Sequence, residues 1–514
     1  MKRIAITGLL LCLGMLYTGA EEKSRNINSQ VLLENNERNS LWMESDNVAG
    51  LAFRPFGMYA GLNLNYGGQF GTFRPQQKAS ARNDISLGTE GSTMLGRFLV
   101  WGSFSFNNRF ERGVRYNAMS YEIEQGMPYY VVDTASSPWI KQEYVLRAKL
   151  ASPVLWNRVS FGLGVDYTTK VGAKQRDPVC ETYKYGIRLV PSVTVRLSDG
   201  HWLGLNGLYC NGYEMSDPSL NNFSKTQRVY ISRGLGEAYT HKVGDNDGLD
   251  NSFFSTSIYG GGLQYGYKGL AELIADINYS HKSEMMRNKP KQPRIFGEIA
   301  QNVIEGRIEI LFGDSFSDKF WLNGSYLSSK GTEYTQSFNS AADKQLWETL
   351  STVEMSSYSY ANATLGYDHQ FGASDPRGYS WDVGVLCSFE HAGESYYLPE
   401  SVYRYTNLAA EVFGAKQFKF KSSALLLKLR AGYSLPLAGE YAFNGLHPEY
   451  PTVDLYTADF AFHNSDFVKV GGVLSYTYNL KKVNLSFNLN ADWFKPTAMK
   501  TDRLVCGASF GIIF

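Results

Sequence analysis

The sequence predicts an all-β fold, a transmembrane antiparallel up-and-down β-barrel of about 18 strands, with about 16–18 as the expected range. Three observations support this prediction. Apolar and polar residues alternate over long stretches, and short and long connections follow one another in turn. The chain also holds 35 Tyr, 30 Phe, 9 Trp and 50 Gly in 514 residues, which is too aromatic a composition for a disordered chain.

Residues 1–20 have the layout of a signal peptide. Lys2 and Arg3 supply positive charge, residues 4–15 are mostly apolar, and small residues precede an expected cleavage between Ala20 and Glu21. The apolar run is too short for a helix that spans a bilayer. We therefore predict that the chain is secreted and that its mature part begins near Glu21.

Residues 21–57 show no regular alternation and mix charges with short apolar pairs such as Leu41-Trp42. Two interpretations stay open for this segment. It is either a free periplasmic tail or a segment that folds into the lumen as a partial plug. The predicted barrel follows as residues 58–514.

Alternation is clearest near the end of the chain, where Leu485, Phe487 and Leu489 alternate with Ser486 and Asn488. Successive side chains of a strand point to opposite faces, so one face meets an oily environment and the other a watery one. Similar segments recur and are longer than the roughly 5–6 residues of an ordinary strand. These lengths favour a membrane barrel over a water-soluble β-sandwich, which also alternates.

The connections predict the orientation of the barrel. Residues 198–200 form a short turn, whereas residues 214–252, 391–402 and 434–466 are long connections. Short turns of outer-membrane barrels face the periplasm and long loops face outward. Both termini then lie in the periplasm, which requires an even strand number, and residues 58–73 are read as one strand.

The last strand carries a family resemblance. Its outward face ends in Phe510, Ile512 and Phe514, which resembles the assembly signal of Gram-negative outer-membrane β-barrel proteins. The pattern of residues 58–514 resembles the large barrel families of unknown function in these bacteria. The resemblance implies an integral outer-membrane location in contact with lipid, and the barrel-assembly machinery as a partner for insertion.

Active import by this chain alone is not expected. The sequence shows no plug domain of TonB-dependent receptors and is short for one, so a TonB-dependent transporter enters the prediction only as a partner, beside a surface lipoprotein. The net charge of +1 gives no reason to expect nucleic-acid binding. Its histidines and cysteines show no metal spacing. We predict no cofactor, no metal and no enzymatic activity.

Charged residues at inward positions are the candidate functional residues. They support either a salt-bridged, packed lumen or a pore whose basic and acidic walls select polar solutes. In the first case, the acids would meet Arg188, Arg196, Lys428 and Arg430 directly. The full set of lumen candidates is Arg147, Lys149, Arg188, Arg196, Glu272, Asp276, Glu305, Arg307, Glu309, Lys428 and Arg430.

The sequence thus predicts an outer-membrane channel or accessory transport barrel, which passes or helps to pass polar solutes through a charged lumen. The alternative is a barrel-anchored surface interaction protein. In that case the long connections 214–252 and 434–466 bind a lipoprotein, a glycan or a partner transporter.

Overall fold

The computed structural model describes residues 38–54, 57–222, 227–243, 251–288, 293–341, 346–375, 378–480 and 483–514. Its main element is a single 18-stranded sheet. The strands of this sheet are β1 (Tyr59–Gly71), β2 (Ala81–Leu95), β3 (Phe98–Val114), β5 (Ser137–Ala151), β6 (Val159–Lys174), β7 (Val179–Ser198), β8 (His201–Ser219), β11 (Ser252–Lys268), β12 (Glu272–Asn288), β13 (Ile295–Phe312), β14 (Asp318–Asn339), β15 (Leu346–Phe371), β16 (Trp381–Tyr397), β17 (Glu400–Lys419), β18 (Ser423–Ala442), β19 (Phe467–Asn479), β20 (Asn484–Pro496) and β21 (Arg503–Ile513).

The remaining elements are small. A separate three-stranded sheet consists of β4 (Val131–Val132), β9 (Gln227–Gly234) and β10 (Glu237–Val243). One α-helix, α1, spans Pro451–His463, and two 3-10 helices, η1 and η2, span Val48–Ala52 and Asp314–Phe316. Among the residues described, no helix has the length and apolar character needed to cross a membrane.

The 18-stranded sheet closes on itself, because the first strand pairs with the last. Strands β1 and β21 are antiparallel, with Leu64 opposite Phe510. Past the end of β21, the amide of Phe514 donates to the carbonyl of Ala60 over 2.9 Å. Closure leaves no unpaired sheet edge within the membrane, which a spanning sheet requires. The predicted barrel and its even strand number are confirmed.

The outer face of the barrel is an apolar belt. On β20 the side chain of Phe487 is 46% exposed, and Leu489 and Trp493 share its face. Asn488, one residue along, points inward and donates to Ser509 Oγ over 3.0 Å. A large apolar face on a closed barrel is stable only against lipid. The chain is therefore an integral outer-membrane protein, as predicted.

Short turns join the strands at the periplasmic end. The turn between β7 and β8 holds Gly200 at φ +78°, where a Cβ would lie 2.3 Å from the carbonyl oxygen of Lys268. Glycine avoids both the strained conformation and this clash. The predicted turn at residues 198–200 is confirmed.

The prediction of a long outer connection at residues 391–402 is wrong. Strand β16 continues to Tyr397 and β17 begins at Glu400, so only Leu398 and Pro399 connect them. Beyond the bilayer, the face of a strand that points away from the lumen meets water, so apolar alternation fades although the backbone stays extended. Strands β14 and β15 are 22 and 26 residues long for the same reason, against the roughly 9–11 that a bilayer needs.

Candidate functional site in the lumen

Residues 38–54 lie inside the periplasmic half of the barrel. Arg38 donates to Asp368 of β15 over 2.6 Å. Asn47 donates to Gln264 of β11 over 2.8 Å and to the carbonyl of Val193 in β7 over 3.1 Å. The segment therefore runs across the lumen between distant strands. We call residues 38–54 the luminal segment.

Two predicted lumen bases hold the luminal segment at its centre. Both carboxylate oxygens of Asp46 accept hydrogen bonds from Arg188 at 2.7 Å. Arg188 also lies 3.3 Å from Asp166 of β6. Lys149 donates to the carbonyl of Met43. The positive side of the lumen is thus occupied by backbone and carboxylate oxygens.

Arg307 of β13 joins the acidic side to the same segment. It lies 2.7 Å from Asp276 and 3.2 Å from Glu309, and it also contacts Glu44 at 3.2 Å. Its guanidinium donates to the carbonyl of Leu41 over 3.0 Å. One guanidinium therefore relieves the repulsion between several carboxylates.

Asp276 and Glu272, two of the predicted lumen acids, also contact the luminal segment directly. Asp276 accepts a hydrogen bond from Ser45 over 3.1 Å. Arg54, at the far end of the luminal segment, forms an ion pair with Glu272. Most of the acidic residues predicted to line the lumen thus contact the luminal segment directly or through Arg307.

A small apolar core underlies these polar contacts. Trp42 and Leu51 are almost fully buried against inward residues of β8, β12 and β13. The indole lies on the backbone of Gly266, where a Cβ would come within 2.7 Å of Trp42 Cζ2. The core comprises Leu41, Trp42, Val48, Leu51, Leu99, Ala151, Trp202, Ile274 and Leu311.

The bases expected to meet the acids across the barrel do not do so. Arg196 pairs with Asp199 in its own turn, and Arg430 binds Asp492 over 2.6 Å. Lys428 lies 4.0 Å from the ring centroid of Phe413. These bases do not reach the acids of β12 and β13, because the luminal segment lies between them and because each base has a nearer partner.

Two predicted lumen residues remain outside these contacts. Arg147 and Glu305 share the inward phase of their strands, opposite Asp166 and Asn278 respectively. Neither forms an ion pair with any residue that the structure describes.

A second wall of the lumen lies away from the contacts of the luminal segment. Strands β17 to β21 contribute ion pairs of their own, such as Lys469 with Glu411 at 2.6 Å. Between these pairs lie small polar side chains, including the bonded set of Ser475, Asn488 and Ser509. This wall is suited to contact with water and polar solutes.

The outer end of the lumen is filled by connections that fold inward. Val229 and Ile231 of β9 pack with Met119 and Tyr129 in one buried cluster. Helix α1 begins with Pro451, which suits the first position of a helix, and its Leu455 is buried in another cluster. Much of the predicted loops 214–252 and 434–466 therefore lies inside the barrel.

A cavity of about 250 Å³ lies between residues 123–130, strands β15 to β17 and helix α1. We call it the outer cavity. Its acidic side chains include Glu390 and Glu394, neither of which is among the predicted lumen residues. Glu394 was missed because residues 391–402 were predicted to be a connection. Both have the even-numbered, inward phase of Asp382, and that phase was the available signal.

Helix α1 adds two titratable groups to the outer cavity. Burial raises the pKa of Asp459 to about 6, although the Gln76 amide and Arg74 oppose this shift. Burial lowers the pKa of His463 to about 4, and its ring stacks on Tyr405 at 4.2 Å. His463 is therefore neutral at physiological pH. Within the described ranges, no group of three His, Cys, Asp or Glu residues could hold a metal ion.

Comparisons with known proteins identify a family without indicating a substrate. A model described as "Family of unknown function (DUF6850)" matches residues 48–514. No functionally curated protein matches the chain.

The solved structures that resemble the chain include the outer membrane transporter YddB from Escherichia coli, at 7% identity and a TM-score of 0.40 over 88% of this chain and 80% of that chain. The ferric citrate transporter FecA shows 8% identity and a TM-score of 0.36, over 88% and 78%. The TodX deltaS2S3 mutant monoaromatic hydrocarbon channel shows 13% identity and a TM-score of 0.31, over 92% of this chain and 94% of that chain. Likenesses this weak carry no information on function.

Proposed function

This chain belongs to the family of unknown function whose model matches residues 48–514, and we propose that it is an outer-membrane channel for small polar solutes, closed by a movable luminal segment. Solutes reach the outer cavity first, pass along the polar wall of β17 to β21, and leave when residues 38–54 move aside. No chemical step acts on the solute.

Barrel width supports a channel. A barrel with roughly 16–18 strands encloses enough space for an aqueous path when other segments do not fill it. Here the space is filled by residues 38–54 at one end and by inward-folded connections at the other. A solute can therefore pass only if residues 38–54 or the inward-folded connections move.

The luminal segment is the better candidate for movement. It is covalently attached to the barrel only at its C-terminal end within the described chain, and the ion pairs of Arg38, Asp46 and Arg54 hold it in addition to its small apolar core. Water can replace such contacts at modest net cost, because the freed groups become hydrated instead of remaining buried and unpaired. The outer connections, in contrast, share a larger apolar cluster, with 13 buried residues against nine in the cluster of the luminal segment.

One observation carries the proposal: the charges that would line an open pore are the charges that bind the segment. Release of the segment would expose Lys149 and Arg188 on one side and Asp276 and Glu309 on the other. Opposed charges across a lumen create a transverse field, which orders water and favours polar over apolar solutes.

Solute uptake into proteoliposomes tests this function. A chain lacking residues 21–54 should admit small neutral polar solutes much faster than the mature chain does. A chain lacking only residues 21–37 is the matched control and should stay closed, because it retains Arg38 and all later contacts. Equal uptake by all three chains would contradict the proposal.

A second candidate function rests on the projecting ends of β14 and β15. Residues 333–341 and 346–353 extend beyond the last paired residues of β13 and β16. Phe338, Leu346, Leu350 and Val353 are exposed there. Several exposed apolar side chains on one projecting ribbon mark an interaction surface more often than a single one does. This observation supports the alternative of a surface interaction protein, with a lipoprotein or partner transporter as the bound protein. Cross-linking from position 350 in intact cells would test it.

A further inference from the structure

The outer cavity has an unusual combination of walls for a space of about 250 Å³. Five tyrosines line it, and carboxylates from three different segments face it. Lys and Arg are absent from its lining among the described residues. The tyrosines are Tyr130, Tyr358, Tyr403, Tyr405 and Tyr456, and the acids are Glu124, Glu390, Glu394 and Asp459.

The tyrosine rings are fixed by contacts with one another and with α1. Tyr403 meets Tyr456 edge to face, with centroids 5.8 Å apart. Tyr405 stacks on His463 at 4.2 Å. Rings held in this way present permanent faces and hydroxyls to the cavity, and an aromatic face attracts a cation within about 6 Å of its centroid.

Three of the four carboxylates accept hydrogen bonds from neutral donors, which leave their negative charge uncancelled. Tyr405 donates to Glu390 over 2.8 Å, and the Gln76 amide donates to Asp459 over 2.7 Å. Glu394 accepts hydrogen bonds from Tyr456 at 2.9 Å and from the Leu235 amide at 3.3 Å, both at Oε1. Its Oε2 accepts none from the residues that the structure describes.

Glu124 differs from the other three acids, because Lys184 and Lys282 each lie 2.6 Å from its carboxylate. Arg74 acts on Asp459 from outside the lining, where its guanidinium donates to the carbonyls of Pro75, Gln76 and Gly113. Glu390, Glu394 and Asp459 form no ion pair with a described residue. Buried charges without a partner are costly. A positively charged ligand in the cavity would reduce this cost by pairing with the three carboxylates.

We infer that the outer cavity binds a small organic cation with an ammonium or guanidinium group, placed between the tyrosine faces and the carboxylates of Glu390, Glu394 and Asp459. An anion would meet three carboxylates without an ion-pair partner and no positively charged side chain in the lining. A neutral sugar would fit the aromatic walls but would leave three charges unpaired. This inference rests on the proposed function and deepens it, since it names the class of solute.

The titratable groups of the outer cavity predict how cation binding depends on pH. Burial raises the pKa of Asp459 to about 6, so acidification to about pH 5 removes the negative charge of this carboxylate. His463 stays neutral in this range because burial lowers its pKa to about 4. Glu124, Glu390, Glu394 and the tyrosine hydroxyls are the other titratable groups that face the cavity. Cation binding should therefore weaken on acidification.

Calorimetry on the purified full chain in detergent tests the inference. The probes are choline, spermidine and agmatine as cations, with glucose as the neutral and gluconate as the anionic comparison. At least one cation should bind saturably, and its affinity should fall roughly tenfold or more in Glu394→Gln. Glu390→Gln is the second cavity variant, and Glu348→Gln, on the projecting ribbon, is the matched control that should leave affinity unchanged.

Three results would overturn the inference. They are binding of glucose or gluconate in preference to every cation, affinity weaker than roughly 1 mM for all three cations, and equal affinity in the parent chain and both folded cavity variants. Uptake by the chain lacking residues 21–54 is measured separately. If that chain conducts but no cation binds, only the inference fails. If a cation binds but no chain conducts, the proposed channel fails.

Discussion

The indole of Trp42 lies directly on the backbone of Gly266 in β11, and a Cβ at Gly266 would come within 2.7 Å of Trp42 Cζ2. This contact ties the luminal segment to the barrel wall without any charge. Together with the ion pairs of Arg188 and Arg307, it makes closure dependent on both packing and electrostatics. The two contributions can be removed separately.

Gly266→Val should displace Trp42 and raise the open probability of the barrel. A branched side chain at this inward position needs the space that the indole fills, and overpacking of this kind costs about 1–3 kcal/mol. Gly88→Val is the matched control, because a Cβ at Gly88 has only the Phe104 carbonyl oxygen at 4.0 Å. Conductance of both variants in planar bilayers measures the effect. An opening of equal size in the two variants would mean that Trp42 has no part in closure.

Arg307→Gln should also favour the open state. It removes the cation shared by Asp276, Glu309 and Glu44, and the loss of one partner of a buried ion pair costs about 3–5 kcal/mol. Arg430→Gln removes a lumen cation that binds Asp492 instead. It should change ion selectivity without opening the barrel. If Arg430→Gln opens the barrel as readily as Arg307→Gln, the contacts of Arg307 do not keep it closed.

Lipid contact can be tested on two neighbouring residues of β20. Phe487→Arg should reduce the free energy of folding into lipid by about 2–4 kcal/mol, because the charge would face the bilayer interior. Asn488→Arg should cost much less, since Asn488 faces the lumen beside Ser509. Urea titration of folding into vesicles gives both values. Similar losses would show that the inward and outward faces are assigned incorrectly.

The C-terminal residues should control assembly. Phe510, Ile512 and Phe514 were predicted to be the signal read by the barrel-assembly machinery, and Phe510 and Phe514 are exposed on the outer side. Deletion of Phe514 should lower the amount of heat-modifiable barrel in the outer membrane, whereas Ser509→Ala, on the inward face, should not. Normal assembly without Phe514 would remove the basis of this prediction.

The sequence predicted the barrel wall more fully than its contents. Period-two alternation follows directly from the opposite environments of the two strand faces, so residues such as Leu485 and Phe487 indicated the wall. The inward charges were predicted on the same basis, and Lys149, Arg188, Glu272, Asp276, Arg307 and Glu309 all lie at the luminal segment or its anchoring network. The division into residues 1–20, 21–57 and 58–514 stays a prediction, since residues 1–37 lie outside the described part of the chain.

Partners within the lumen could not be predicted in this way. Residues 38–54 lack periodicity, because their side chains contact several different strands and not one continuous surface. The short strand β9 alternates at Val229 and Ile231, but its apolar face meets Met119 and Tyr129 and not lipid. Such contacts join residues far apart in the chain, and only the closed barrel brings them together.

Single-channel conductance of the purified chain lacking residues 21–54, measured beside the intact mature chain, shows whether residues 38–54 close the barrel. The shortened chain should give discrete, long-lived open steps, and the intact chain should give rare, brief ones. Glu305→Gln combined with Glu309→Gln should shift the open pore toward anions, because two negative charges leave its wall. A shortened chain with no conductance above background would mean that this segment does not close a channel.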